Sequence, residues 1–312
     1  MMIDPAIPPQ GAPADRPAPL SLRGATGFVT GGASGIGLAI VRALVGEGAR
    51  VAVADNNPDW LAAVAAELGG AVLPIALDVT DRAGWAAARA RVEAELGPVD
   101  VLVNNAGIGP DLKPLDETAP GYFDRMIAIK LTGTYNGIHE FVPGMKARRR
   151  GHVVNTASMA GLVASPRLGP YTAAKFAVVG MSEVLAAELK DHGIGVSVLC
   201  PGLIATRLGE TSVRAGVDRP AGQSTAAGLD PAIVGDLVID AIRHNHLHIV
   251  THREYAKGVE RRMAQVLDAF ARVPVREPTR LPDPGSPARR WGQGVARMHR
   301  FGRKLTPRKF CD

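Results

Sequence analysis

Tyr171 and Lys175 stand four residues apart in Tyr-Thr-Ala-Ala-Lys, a spacing that puts both side chains on one face of a helix. A phenol beside an ammonium is acid–base machinery. Free tyrosine titrates near 10, and a neighbouring positive charge stabilises phenolate, which brings proton exchange with an alcohol or ketone within reach near neutral pH. Thirteen residues upstream, Ser158 follows a β-branched run. That places its hydroxyl just past a strand end, where ligands meet an open parallel sheet. There it can hold a substrate oxygen, or it can simply cap a helix.

A second constellation lies near the N-terminus. An apolar run leads into Thr30-Gly31-Gly32-Ala33-Ser34-Gly35-Ile36-Gly37 and then into an apolar helical pattern. Such a turn lets backbone pass close to a pyrophosphate whose charge sits at a helix N-terminus. The spacing is G-x-x-x-G-x-G rather than the commonest dinucleotide fingerprint, but strand before and helix after supply the right context. Asp55 closes the next strand pattern 18 residues beyond Gly37. A carboxylate there accepts hydrogen bonds from an adenosine ribose and repels a 2′-phosphate; the plain alternative is a turn or cap residue. No Lys or Arg occupies the glycine turn or positions 56 and 57. The cofactor expected is NAD rather than NADP.

The elements that must position these groups alternate. Strand patterns at Ala25–Thr30, Arg50–Ala54, Val72–Leu77, Val99–Val103, His152–Thr156, Gly195–Leu199 and His248–Val250 are separated by helical ones at Ile36–Glu47, Pro58–Leu68, Arg82–Leu96, Pro120–Arg148, Tyr171–His192 and Pro231–Asn245. Continuous apolar strands between helices predict an α/β fold with a doubly wound parallel sheet. Ala205–Leu229 lacks periodicity and reads as a loop with at most short helices, and a further helix spans about Tyr255–Phe270. Three segments follow: a Pro/Ala-rich, disordered N-terminus (1–20), a catalytic domain (21–273) and a basic Pro/Arg-rich tail (274–312).

Composition narrows the function classes. The chain has 312 residues, 46% of them apolar, enough for one large domain with a substantial core. The net charge of +6 is misplaced as a clue, because residues 276–312 alone carry +7 and the rest sums to −1. A nearly neutral domain with a basic tail does not read as a nucleic-acid surface. Cys200 and Cys311 exclude a disulfide framework. No apolar run is long enough to span a membrane, and the N-terminus lacks the apolar core of a secretory signal, so a cytoplasmic enzyme is expected. His244, His246 and His248 alternate, but no carboxylate or cysteine stands beside them in sequence, and no metal is expected.

Taken together, the chain resembles the short-chain dehydrogenase/reductase family over about Leu22–Val250. The landmarks run in order: the Thr30–Gly37 turn, Asp55, Asp78-Val79, Asn104-Asn-Ala-Gly107, Ser158, Tyr171 with Lys175, and Pro201-Gly202 followed by Thr206. The resemblance implies a Rossmann-like, seven-stranded sheet and hydride transfer between nicotinamide and a carbonyl or alcohol carbon. By the same resemblance Tyr171 is the general acid/base, Lys175 lowers its pKa and binds the nicotinamide ribose, and Ser158 positions the substrate oxygen. Gly31, Ser34, Gly35, Ile36 and Gly37 belong to the pyrophosphate turn. Asp78 and Val79 would contact adenine, Asn105, Ala106 and Gly107 would line the adenosine side, and Pro201, Gly202, Ile204 and Thr206 would hold the nicotinamide end. The long helices would form a homodimer or homotetramer interface.

One residue departs from the family. In Ile129-Lys130-Leu131-Thr132-Gly133, Lys130 stands where the family usually has an asparagine that helps hold a water near the active-site lysine. Lysine offers donors but no acceptor, and adds positive charge beside Lys175. It can support a modified relay, swing away, or mark a catalytically silent NAD-binding protein. Substrate residues are expected at Ser158, Met159, Leu168, Tyr171 and Leu203, an apolar set suited to a bulky secondary alcohol or ketone. A looser resemblance of Asn245–Glu260 to bacterial Cα-dehydrogenases of lignin-derived diaryl alcohols points the same way. An NADPH-dependent ketoacyl or polyketide reductase is the alternative that Asp55 argues against.

Overall fold

The computed structural model describes residues 20–214, 216–217 and 227–273. The proposed N-terminal segment and basic tail therefore lie outside the described residues. The chain divides into two compact units, 1–260 and 261–312. The first alternates strand and helix: β1 (Thr26–Thr30), α1 (Gly35–Gly46), β2 (Arg50–Asp55), α2 (Pro58–Leu68), β3 (Val72–Ala76), α3 (Arg82–Glu95), β4 (Val101–Asn104), α4 (Pro120–Ile127), α5 (Gly133–Arg148), β5 (Gly151–Thr156), α6 (Gly169–Leu189), β6 (Ile194–Cys200), α7 (Leu208–Arg214), α8 (Pro231–His244) and β7 (His248–Val250). Helix α9 (Ala256–Ala271) follows, its later turns belonging to the second unit. No helix among the described residues is long and apolar enough to cross a membrane.

Local chemistry sets the helix starts. Asn57 accepts hydrogen bonds from the amides of Asp59 and Trp60 at 3.1 Å, with Pro58 in the first turn. Asp81 and Asp230 cap α3 and α8 in the same way. The seven strands form one parallel sheet in the order β3-β2-β1-β4-β5-β6-β7. Alternation along β1 feeds both faces: Phe28 enters one core with Trp85 and Phe141, their rings 4.8–6.2 Å apart, while Val29 enters the other with Ile40, Leu44, Val238 and Ile242. The sheet is thus covered by α1, α2 and α8 on one side and by α3, α5 and α6 on the other. The chain leaves β1 and β4 in opposite directions across the sheet, and a crevice opens beyond their C-terminal ends.

One expected element changes. The helix expected over Pro120–Arg148 is α4, a π turn at Ala128–Thr132, and α5. A π turn takes in an extra residue, which apolar periodicity does not show, and this one buries Lys130. The region read as a loop with at most short helices over Ala205–Leu229 contains the seven-residue α7, in keeping with that reading, and Leu229 returns to bridge Ile204. Residues 215 and 218–226 lie outside the described residues.

Candidate active site

At the end of β1 the chain turns through Gly31, whose φ of 59° is in the left-handed region. A Cβ there would stand 2.9 Å from the Ala106 Cα, so glycine keeps the β1 and β4 exits together. Gly37 lies against the Gly31 carbonyl with no room for a Cβ. Its role is close packing, and it does not line the cavity described below. Ser34 stands at the N-cap of α1 without making a side-chain cap bond, so the first-turn amides and the hydroxyl remain available to an anion.

Asp55 ends β2 with its carboxylate turned toward that turn. Its oxygens accept from the Ala33 amide at 3.2 Å and the Asn57 amide at 3.1 Å. Burial pushes its pKa up, and the backbone hydrogen bonds oppose the shift. Each oxygen keeps acceptor capacity for a ligand hydroxyl. Asp78 is partly committed, accepting from the Thr80 amide and hydroxyl at 2.9 and 2.8 Å. The Val79 carbonyl accepts from the Trp85 indole and the Asn136 amide. Asn105 is a strap rather than a free ligand: its side chain donates to the carbonyls of Thr30 and Gly31, and its backbone amide donates to the Thr30 hydroxyl. Asn104 in turn donates to Asn155, which donates to Ser182, tying β4 and β5 to α6.

The candidate catalytic side chains meet where β5 and α6 approach. Lys175 donates to the Thr156 carbonyl at 2.5 Å and lies 5.7 Å from the centre of the Tyr171 ring. Lys130 reaches the same ring from the π turn, its Nζ 5.2 Å from the centroid and close against Gly107. Ser158 shows the capping use: it accepts from the Ala160 amide at 3.1 Å, and it stands beside Tyr171. Burial lowers Lys175 to about 8, with its hydrogen bond to Lys130 pulling it back up. Lys130 falls well below the ordinary lysine value, first through burial and then through the positive charge of Lys175. The second ammonium expected beside Lys175 is therefore disfavoured.

The Tyr171 phenol also departs from expectation. Burial raises its pKa, and only the Ser158 hydrogen bond opposes this. Lys175 is turned to Thr156 rather than to the phenol oxygen, so the lowering expected from an adjacent ammonium is not present in this arrangement.

One cavity of about 990 Å³ joins both constellations. Gly31, Ser34, Gly35, Ile36 and Asp55 line one end, with Asp78 and Val79 beside them, and Tyr171, Lys175 and Lys130 line the other. Asn105, Ala106 and Gly107 lie between, and Pro201, Gly202, Leu203, Ile204 and Thr206 form a further wall. Three residues expected to contact substrate, Ser158, Met159 and Leu168, do not line it. Met159 is buried in a cluster with Val178, Val179 and Val198, and Leu168 occupies the position preceding α6. Both follow Ser158 in sequence, but the turn at Met159–Gly161 directs the chain into the core.

Sequence reading missed the groups that hold the cavity's outer wall. Ser212 of α7 accepts from the Gly109 amide at 2.7 Å, and Arg214 stacks over Trp60. These contacts join segments 103 and 154 residues apart, and no local pattern announces them.

Comparison with known proteins bears on this arrangement. The profile described as short chain dehydrogenase matches residues 26–215, more than half of the chain. The chain belongs to the short-chain dehydrogenase family. It is 32% identical over 265 residues to C alpha-dehydrogenase of Sphingobium sp. (strain NBRC 103272 / SYK-6), covering 78% of this chain and 86% of that protein. A short-chain dehydrogenase structure from Novosphingobium aromaticivorans matches with a TM-score of 0.71 and 36% identity, covering 90% of this chain and 97% of the other. One from Burkholderia phymatum, in complex with NAD, matches with a TM-score of 0.75 and 27% identity over 83% and 99%. This short-chain dehydrogenase is thus an oxidoreductase by family, and its cleft fits the family's dinucleotide chemistry: an uncapped helix N-terminus for phosphate and a buried carboxylate for ribose share one cavity with a tyrosine–lysine pair.

Proposed function

We propose that the protein is a cytoplasmic NAD(H)-dependent oxidoreductase that interconverts a bulky, largely apolar secondary alcohol and its ketone. The observation that carries this reading is the single cavity running from Asp55 to Tyr171. When bound, the nicotinamide supplies or accepts the hydride. The Ser34–Ile36 turn would hold the pyrophosphate, Asp55 the adenosine ribose, Val79 the adenine, and Ile204 and Thr206 the nicotinamide end.

The chain's own residues manage the proton. Ser158 and the Tyr171 hydroxyl hold the substrate oxygen between them, and Tyr171 takes the alcohol proton in oxidation or returns it in reduction. Lys175, fixed by Thr156, supplies the positive charge that favours phenolate once the cavity is filled. Ile108, Leu203 and Leu208 give the wall an apolar character that suits a bulky substrate. The relative named C alpha-dehydrogenase supports benzylic secondary alcohols as the first class to try. Exposed Tyr135 on α5 and Val184 on α6 are apolar surface of the kind a homodimer or homotetramer covers.

The test follows absorbance at 340 nm with NAD and with NADP across aliphatic, steroidal and benzylic secondary alcohols, with Tyr171→Phe as the blank. Turnover with NAD that drops at least about a hundredfold in the blank is the expected result. Turnover confined to NADP would replace the cofactor assignment. Silence with both cofactors, despite NAD binding, would replace the enzyme by a binding protein.

A further inference from the structure

Lys130 is an unusual residue to bury. Its side chain is 5% exposed, and among the described residues no carboxylate forms an ion pair with it. A buried lysine without a counter-ion is stable chiefly as the free amine. Its position is not accidental packing, because the π turn directs it inward and its Nζ contacts Gly107 at the cavity wall. There its Nζ lies 5.2 Å from the centre of the Tyr171 ring, with the Lys175 Nζ 5.7 Å from the same point. Two ammonium groups have only donors, so a hydrogen bond between two lysines requires one of them to be an uncharged acceptor. Lys175 donates to the Thr156 carbonyl, the partner that suits an ammonium. Among the described residues Lys130 Nζ has no such carbonyl partner. The acceptor is therefore Lys130.

Resting on the dehydrogenase reading above, we propose that Lys130 is an uncharged amine that accepts a hydrogen bond from the Lys175 ammonium and serves as its proton-relay partner. One N–H bond of Lys175 breaks as one forms on the Lys130 nitrogen, and Lys130 then gives the proton to water in the cavity. Lys175 is left free to take a proton from the Tyr171 side; reduction runs the same steps backwards. Lys130 acts through Lys175, as a positioning residue. It replaces a water-holding polar side chain by a group that itself gains and loses the proton.

The groups on the elements around it are few. Helix α6 presents Tyr171 and Lys175, α4 carries exposed Asp124 and Arg125, the latter also lining the cavity, α5 carries Tyr135 and His139, and Cys200 of β6 lies near Lys175 with its thiol pushed up to about 12 by burial. Neutral Cys200 brings no negative charge to hold a second ammonium in place. Acidification should therefore protonate Lys130 against Lys175 and separate the pair.

Two measurements on the full chain test this. In the first, trace acetic anhydride competes for Lys130 and an internal amine standard from pH 6 to 11 without cofactor, and peptide mass spectrometry reads the label. Lys130 reactivity should reach its plateau at least about one pH unit below that of an exposed lysine such as Lys146. A Lys130 profile that rises with the exposed lysines, or no label at any pH, would overturn the proposal, the latter because a relay needs access to the cavity.

In the second, kcat against pH is compared for the wild type, K130Q, K130M and K130R. K130Q, whose amide oxygen accepts the hydrogen bond but cannot take up the proton, should lose at least about tenfold in kcat. K130M and K130R should lose about ten- to a hundredfold with KM nearly unchanged, and the acid limb of the wild-type profile should move in both. Equal loss in all three with an unmoved pH limb would mean a packing role only. If the wild type turns over no alcohol, the dehydrogenase reading fails, while the labelling result still decides the protonation state of Lys130.

Discussion

Arg214 of α7 stacks on Trp60 of α2, its guanidinium carbon 4.9 Å from the ring centroid. The pair joins the segment after β6 to the rim beyond Asp55, and both residues line the cavity that holds the catalytic tyrosine. Together with Ser212 on the Gly109 amide, it keeps α7 over the cavity at two points. A partly exposed cation–π contact is worth about 0.5–1 kcal/mol. Arg214→Ala should therefore weaken NAD(H) binding about two- to fivefold in calorimetric titration, with melting temperature unchanged within about 1 °C because the lid is not core. Unaltered binding would show that α7 holds its place without the stack.

Asp55 is the residue proposed to select the dinucleotide, and it also supports its own loop. Asp55→Ser should raise kcat/KM for NADP relative to NAD by at least about tenfold, since the repulsion toward a 2′-phosphate is gone. It should also lower stability by about 1–3 kcal/mol, because the buried Ala33 and Asn57 amides lose their acceptors. Urea unfolding and paired cofactor assays read the two effects separately. A stability loss without a change in preference would mean that Asp55 is a turn residue alone.

The fold and the two ends of the site were legible because they depend on local patterns: β-branched runs, Asx caps before helices, glycines in a turn, Tyr and Lys one helical turn apart. What was not legible depends on long-range placement. Met159 follows Ser158 directly, yet a short turn decides that it faces the core. Asn105 reads as a polar cleft residue, but parallel pairing of β1 with β4 places it beside the Thr30 carbonyl, where it becomes a strap. The charge state of Lys130 depends on its burial and on Lys175, which is 45 residues away. Periodicity could not find the π turn that creates that burial.

His152 makes a prediction about pH that is independent of the site. It is buried in β5 with Nε2 2.9 Å from the Ser197 hydroxyl, which in turn donates to the His246 carbonyl. Burial lowers its pKa from 6.5 to about 3. The unfolded chain takes up the proton below pH 6.5 while the folded chain resists it, so stability is full above 6.5 and declines as pH falls toward 3. The loss is about 1.4 kcal/mol per pH unit across that window. His152→Gln should flatten this part of the profile, and the difference between the two proteins, measured by urea unfolding at pH 7, 6, 5 and 4, should shrink steadily. Parallel profiles would mean that His152 accepts its proton in the folded state.

Trp85 links the core to the Val79 end of the cavity. It is 1% exposed, packs against Phe28 and Phe141, and donates its indole N–H to the Val79 carbonyl at 2.9 Å. Val79 lines the cavity, so the hydrogen bond is a direct connection from packing to binding. Trp85→Ala should cost about 3–5 kcal/mol through lost burial and the cavity left behind. Trp85→Phe separates the two contributions. It keeps an aromatic ring in the cluster and removes the donor, while the Val79 carbonyl retains its bond from Asn136. Its cost should be nearer 1–2 kcal/mol, with a rise of about two- to fivefold in the dissociation constant for NAD(H) and little change in kcat. If Trp85→Phe lowered stability without altering cofactor affinity, the Val79 turn would be held by Asn136 alone and the indole would serve only the core.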